Sequence, residues 1–161
     1  MKQAVHITHE AAKKIGGIGA VLSGMCTSNT YLKQFDRTIF YGPLFDDRPN
    51  PNNDITIAIE RLGGNAEVIY SSLDGIKNSE YNDFFQKLID EYRIDIIYGK
   101  KTLYDEIDPK KYIHIEILLL GIKDMNPTLL NEFKFNIWIA YGFSHIVILF
   151  LSGTLPNLAI C

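Results

Sequence analysis

This sequence of 161 residues has little cysteine and no excess of positive charge. Its two cysteines, Cys26 and Cys161, are too few for a disulfide framework or a cysteine-based zinc site. Its 16 basic and 19 acidic residues give a net charge of −3, so we expect no basic face for nucleic acid. The four histidines form no pair with metal-ligand spacing and a carboxylate partner, so we expect no metal.

The first residues do not show the pattern of a secretory leader peptide, and the two ends of the chain differ in charge. Residues 1–8 lack the apolar core of a secretory signal, which favours a cytoplasmic protein. Every Asp, Glu, Lys and Arg precedes Phe135. The charge-free residues 137–161 are about long enough to span a membrane. They contain Gly153 and Pro156 and have no basic flank, so we do not expect a membrane partner, and a C-terminal anchor is an alternative.

Short apolar runs alternate with helical patterns along the first 141 residues. Strands are predicted at 3–8, 37–42, 67–71, 94–98 and 113–120. Helices are predicted at 17–28, with Ile18, Val21, Leu22 and Met25 on one face, at 81–92 and at 128–141. Residues 55–62 fit either a helix or a strand, and residues 43–53 form a loop. This alternation predicts an α/β domain of three layers around a mostly parallel, Rossmann-like sheet.

The most informative segment follows the first predicted strand. It reads His9-Glu10-Ala11-Ala12-Lys13-Lys14-Ile15-Gly16-Gly17-Ile18-Gly19 and leads into a predicted helix. A strand, a glycine-rich turn and a helix bring backbone N–H groups against an anion, and Lys14 can add an ammonium group beside it. A tight turn before a core helix is the alternative interpretation.

The spacing Glu-x-x-x-Lys-x-Gly-Gly-Ile resembles the N-terminal signature of glycogen and starch synthases, which are retaining glycosyltransferases with two Rossmann domains (GT-B type). The animal and fungal form is the nearest. The bacterial and plant form, Lys-x-Gly-Gly-Leu-x-Asp-Val, is matched at Lys14, Gly16, Gly17 and Val21 and has Asp where this chain has Ala20. The donor that the resemblance implies is therefore either UDP-glucose or ADP-glucose. The resemblance covers the first 45 residues closely and extends more loosely to Tyr141.

The resemblance implies that residues 1–143 are the incomplete N-terminal, acceptor-side half of such a transferase. The family moves glucose from a nucleotide-sugar to the 4-OH of an α-1,4-glucan with retention and needs no cofactor besides the donor. The implied substrate-binding residues are Lys14, Gly16, Gly17, Glu10 and His9. Glu10 either bonds a sugar hydroxyl or caps the turn, and His9 and His6 lie either beside the acceptor or as ordinary rim residues.

Two further segments carry expectations: the loop after the second predicted strand and the C-terminal tail. Tyr41-Gly42-Pro43-Leu44-Phe45 leads from a strand end into that loop and is predicted to line the acceptor cleft, whereas the adjacent Asp46 and Asp47 are not expected to form an acid/base pair. The C-terminal Rossmann domain of the family is missing, so we expect no activity from this chain alone. Residues 144–161 form a divergent apolar tail, and codons read one base out of step can restore a family-like Pro-His-Arg-Tyr there. A non-catalytic sugar- or nucleotide-binding module and a small tail-anchored protein are the alternative functions.

Overall fold

The computed structural model describes residues 2–141, and among these it describes all side chains except those of Phe133 and residues 137–141. The helices are α1 (Gly17–Cys26), α2 (Asn29–Gln34), α3 (Ile55–Arg61), α4 (Asn82–Tyr92) and α5 (Pro127–Tyr141). The strands are β1 (Gln3–Ile7), β2 (Arg37–Pro43), β3 (Ala66–Ser71), β4 (Ile76–Lys77), β5 (Asp95–Tyr104) and β6 (Tyr112–Gly121). All predicted strands are confirmed, and residues 55–62 form a helix. The predictions for residues 144–161 lie outside the described residues.

The strands form a mixed sheet with the order β1-β2-β6-β5-β3-β4. β1 pairs with β2 and β2 pairs with β6 in parallel, whereas the β6–β5, β5–β3 and β3–β4 pairs are antiparallel. The prediction of a mostly parallel sheet is therefore wrong. The physical reason is that residues 105–111 join β5 directly to β6, and so short a connection permits only an antiparallel pair.

Helices cover both faces of the sheet, which confirms the predicted three layers. On one face, Leu22 of α1, Tyr31 of α2 and Ala58 of α3 share a core with Ile97 and Ile117 of the central strands. The opposite face carries α4, whose buried Phe85 packs with sheet residues that include Tyr70, Ile96 and Tyr98. Strand residues therefore alternate between two cores, as the pleat requires.

Helix α1 turns a different face to the core than its apolar pattern suggests. Leu22 is buried, but Ile18, Val21 and Met25 are 48%, 69% and 39% exposed. Ser23 is buried instead, because its hydroxyl donates a hydrogen bond of 2.7 Å to the backbone carbonyl of Tyr104. Among the helices within residues 2–141, none is long and apolar enough to cross a membrane.

Candidate functional site

The glycine-rich loop, residues 8–16, connects the carboxyl end of β1 to the start of α1. Glu10 lies beneath this loop with only 6% of its surface exposed. Its Oε2 atom accepts hydrogen bonds from the backbone N–H groups of Gly19 at 2.8 Å and Ile15 at 3.2 Å. Ile15 lies at the end of the loop and Gly19 in the first turn of α1. The N–H groups at the start of a helix have no acceptor within the helix. Glu10 therefore caps the turn, which is one of the two roles predicted for it.

The glycines differ in what surrounds them. A Cβ atom on Gly16 would lie 3.2 Å from the Oε1 atom of Glu10, and one on Gly19 would lie 2.7 Å from Oε2. Gly17 has no neighbouring atom within 4 Å of the same position. Gly16 and Gly19 thus let the backbone approach the carboxylate of Glu10, while Gly17 faces open space where a ligand has access.

Electrostatics keep Glu10 ionised. Burial alone would raise the pKa of its carboxyl group, but hydrogen bonds from the N–H groups of Gly16, Gly19 and Ile15 outweigh it and lower the pKa below the ordinary value. The half-exposed imidazole of His9 adds to this, since its Nε2 atom lies 3.5 Å from Oε1 of Glu10. The loop is therefore built around an internal anion.

Lys14 extends away from Glu10, toward the connection between β5 and β6. The carbon stem of Lys14 crosses Gly19, where an added Cβ would lie 2.8 Å from its Cγ atom. Its ammonium group forms an ion pair with the carboxylate of Glu106, and the two side chains are 49% and 52% exposed. Lys14 thus offers a solvent-accessible cation at the start of α1, which an anionic ligand can reach.

A groove of about 520 Å³ lies where the carboxyl ends of β1, β2 and β6 meet α1. It is lined by Val5, His6, Ile7, Thr8, His9, Ile18, Leu22, Tyr41, Gly42, Pro43, Leu120 and Ile122. No Asp, Glu, Lys or Arg is among these residues. Burial raises the pKa of Tyr41, so its hydroxyl stays protonated and can donate a hydrogen bond. Apolar walls with a few polar groups suit an uncharged amphipathic ligand better than a phosphate.

The predicted site residues are therefore divided between two places. His9 lines the groove together with Tyr41, Gly42 and Pro43, the last residues of β2, whereas Leu44 and Phe45 are not among the lining residues. Lys14 lies instead at the connection between β5 and β6, where it pairs with Glu106. Sequence reasoning missed Glu106 and Ile122; only the position of Ile122 just beyond a strand end could have indicated it.

His6 is a packed residue of the α1–α2 side. Its Nε2 atom is 2.7 Å from the hydroxyl of Tyr31, and its ring packs edge-on against Phe40. Burial lowers the pKa of His6, which favours the neutral imidazole. These contacts agree with the ordinary structural role predicted for it, and His6 also lines the groove, where the predicted acceptor role stays untested.

The loop after β2, residues 44–54, is held by a buried cation. The guanidinium group of Arg61 donates to the backbone carbonyls of Asp46, at 3.1 Å, and Arg48. It pairs with Asp74, and both side chains are fully buried. Asn50 also donates to Asp74, at 2.6 Å. Arg61 therefore fixes the shape of this loop at the edge of the groove.

The acidic residues of this loop have separate partners. Asp46 pairs with Arg48 at 2.6 Å, and Asp47 pairs with Lys123 at 2.8 Å. The two carboxylates are therefore each paired with a different cation. Within residues 2–141, no group of three or more His, Cys, Asp or Glu side chains is placed to hold a metal ion.

Comparisons with known proteins give limited information. No protein-family model matches the sequence, and no solved structure matches it. A curated protein, the "Probable movement protein" of Apple stem grooving virus (strain P-209), is 31% identical over 105 residues. That similarity covers 62% of this chain and 29% of the viral protein, so the chain spans less than a third of that relative.

Proposed function

We propose that this chain is the N-terminal, acceptor-side part of a cytoplasmic glycogen/starch-synthase-like glycosyltransferase. The whole enzyme would transfer glucose from UDP-glucose or ADP-glucose to the end of an α-1,4-glucan with retention, without a metal or further cofactor. The observation that carries the proposal is the loop of residues 8–16. There, the carboxylate of Glu10 holds the Lys-x-Gly-Gly turn open at the carboxyl end of β1, directly beside the groove.

The division of the site fits the two substrates of such a reaction. A neutral, mostly apolar groove suits the glucan, whose pyranose rings combine apolar faces with hydroxyl rims. The diphosphate of the donor carries negative charge, which grows on the leaving group in the transition state and needs cations and N–H donors. In this proposal Lys14 and the open backbone at Gly17 serve the phosphates, and Tyr41, His9 and Thr8 serve the glucan.

A paired substitution tests the proposal in a two-domain synthase that carries this segment. Lys14→Ala should lower kcat/KM by about 10- to 1000-fold, the scale for one lost charged contact in the transition state. Lys13→Ala is the matched control, because Lys13 is the exposed neighbour and should leave kcat/KM nearly unchanged. Equal kinetics for the two variants would exclude a role for Lys14 in the reaction.

The isolated chain provides a second check. A two-domain transferase builds its site between the domains and depends on holding both substrates in near-attack geometry. Purified residues 1–161 should therefore incorporate no labelled glucose from UDP-glucose or ADP-glucose into glycogen. Incorporation by this chain without a partner would mean that its site is complete and that the proposed architecture is incorrect.

A non-catalytic sugar-binding module is the second candidate. It is favoured because the groups proposed to contact the phosphates already have partners within the chain. Glu10 accepts hydrogen bonds from N–H groups of the loop and of α1, and Glu106 pairs with Lys14. The two candidates differ in their response to nucleotide. A transferase fragment should bind both maltoheptaose and UDP or ADP, whereas the module should bind maltoheptaose alone.

A further inference from the structure

The connection between β5 and β6 lies against helix α1 through buried contacts. The hydroxyl of Ser23 donates to the carbonyl of Tyr104 at 2.7 Å, and the hydroxyl of Thr27 donates to Oδ2 of Asp105 at 2.9 Å. Ser23 and Thr27 are 4% and 0% exposed. The start of the hairpin loop is thus fixed on α1 immediately before Glu106.

The loop itself is ordered by Asp105. Its Oδ1 atom accepts hydrogen bonds from the N–H groups of Ile107 and Asp108, both at 2.8 Å. These bonds hold the pKa of Asp105 below its ordinary value, so the carboxylate stays ionised near neutral pH. The backbone on both sides of Glu106 is therefore held in place, with its carboxylate within reach of the Lys14 ammonium group.

We propose that Glu106 is an internal competitor for the Lys14 ammonium group, which a phosphate-bearing ligand must displace. This inference rests on the proposed function, in which Lys14 contacts the diphosphate of the donor. An anion that approaches Lys14 meets the negative charge of Glu106 at the same ammonium group. Glu106 thereby weakens binding of free phosphates and leaves Lys14 available only to a ligand with additional contacts.

The structure sets the size and the sign of the effect. Both side chains are about half exposed, so the pair is screened by water and salt and contributes modestly. Replacing Glu106 by Gln removes the competing charge and keeps the shape of the side chain. Glu106→Gln should therefore tighten binding of a small diphosphate by about two- to fivefold, the range that an exposed ion pair supports.

The experiment titrates the full chain with inorganic pyrophosphate at constant ionic strength and follows the backbone amide signals of Gly17 and Ile18. Wild type is compared with Glu106→Gln and with Glu80→Gln, an exposed acidic residue whose replacement changes the net charge equally. The Glu106 substitution is repeated in a Lys14→Met background. We expect tighter binding for Glu106→Gln alone, and no gain when Lys14 is absent.

Two outcomes would overturn the inference, and they are distinguishable. If wild type binds pyrophosphate through Lys14 but Glu106→Gln binds no tighter than Glu80→Gln, Glu106 is not a competitor and the proposed function stands. If neither wild type nor Glu106→Gln shows binding that depends on Lys14, both the inference and the phosphate role of Lys14 fail.

Discussion

Two loops at the same edge of the sheet are each organised by one buried charge, and the charges are opposite. In the loop between β1 and α1, the carboxylate of Glu10 accepts hydrogen bonds from backbone N–H groups. In the loop between β2 and α3, the guanidinium group of Arg61 donates to backbone carbonyls. Arg61 has a fully buried counter-ion in Asp74, whereas the basic side chain beside Glu10 is the half-exposed His9.

The difference indicates which loop can respond to a ligand. Arg61 and Asp74 have no access to solvent, so no ligand can exchange with either of them. The first loop leaves Gly17 open and the ammonium group of Lys14 half exposed, and it contributes Thr8 and His9 to the groove. We infer that the second loop is a fixed support that follows the groove-lining end of β2, and that the first loop is the side of the groove that can respond to a ligand.

The largest effect is expected from breaking the buried pair. Asp74→Asn leaves the charge of Arg61 buried without a counter-ion and should lower the free energy of unfolding by about 3–5 kcal/mol. The comparison variant is Asp46→Asn in the same loop, which breaks a pair with the exposed Arg48 and should cost far less. Urea denaturation of both variants measures the difference; equal losses would mean that the buried pair does not hold this loop.

A contact between the first loop and the end of α3 should give the next largest effect. Gly63 and Gly64 have φ of +83° and +75°, but only Gly63 lies against the carbonyl of Ala12. Lys101 joins the same groups, since its ammonium donates to the carbonyls of Ala12 at 3.3 Å and Gly63 at 3.1 Å. The two glycines therefore share a left-handed backbone that would strain any other residue, and they differ in the space available for a side chain.

Substituting each glycine by alanine separates the cost of a left-handed backbone from the cost of steric overlap with Ala12. Gly64→Ala should cost about 1–2 kcal/mol, the ordinary penalty for a left-handed non-glycine residue. Gly63→Ala should cost about 1–3 kcal/mol more, because its Cβ would displace Ala12. Thermal or urea denaturation checks both variants. A Gly63→Ala protein as stable as Gly64→Ala would show that the first loop does not depend on this contact.

A smaller effect is the pH dependence that Glu10 gives to the first loop. The pKa of Glu10 is lowered in the folded state, so its stabilisation is complete above the ordinary glutamate pKa. That stabilisation is lost as the pH falls through the depressed folded-state pKa. The wild-type protein should therefore be more stable than Glu10→Gln near neutral pH, with a difference that shrinks in acid.

The measurement is the free energy of unfolding against pH for both proteins, with Glu80→Gln as the control. The control should remain parallel to wild type, because Glu80 is exposed and takes part in no comparable contact with the loop. A difference between wild type and Glu10→Gln that is constant with pH would exclude the ionised carboxylate as the source of the stability.

Local patterns in the sequence predict the elements better than their arrangement. The β-branched and aromatic residues of β2 and the apolar spacing of α4 identify both elements correctly. The antiparallel β5–β6 pair was missed because the outer half of β5, from Lys100 to Tyr104, mixes charged and apolar residues, and the connecting loop carries no glycine. The short α2 was missed because a helix of six residues is too short to show a helical periodicity in the sequence.

The candidate site shows a similar limit. The spacing of Glu10 to Gly17 indicated a ligand loop, and the strand-end rule indicated Tyr41. Nothing in the sequence indicates that Glu10 accepts a hydrogen bond from the N–H of Gly19. Nor does it indicate that Lys14 pairs with Glu106, which lies 92 residues further along the chain. Such contacts depend on tertiary structure, in which the hairpin is placed against α1.

The most direct test of the proposed acceptor site is a titration of the isotope-labelled chain with maltoheptaose, followed by backbone amide signals. We expect shifts confined to the groove, at Thr8, His9, Tyr41 and Gly42, and weaker binding after Tyr41→Ala. Amides of α4, on the opposite face from α1, should stay unchanged. Shifts that are absent, or that spread over α4 and persist unchanged in Tyr41→Ala, would contradict a glucan site at the carboxyl ends of β1 and β2.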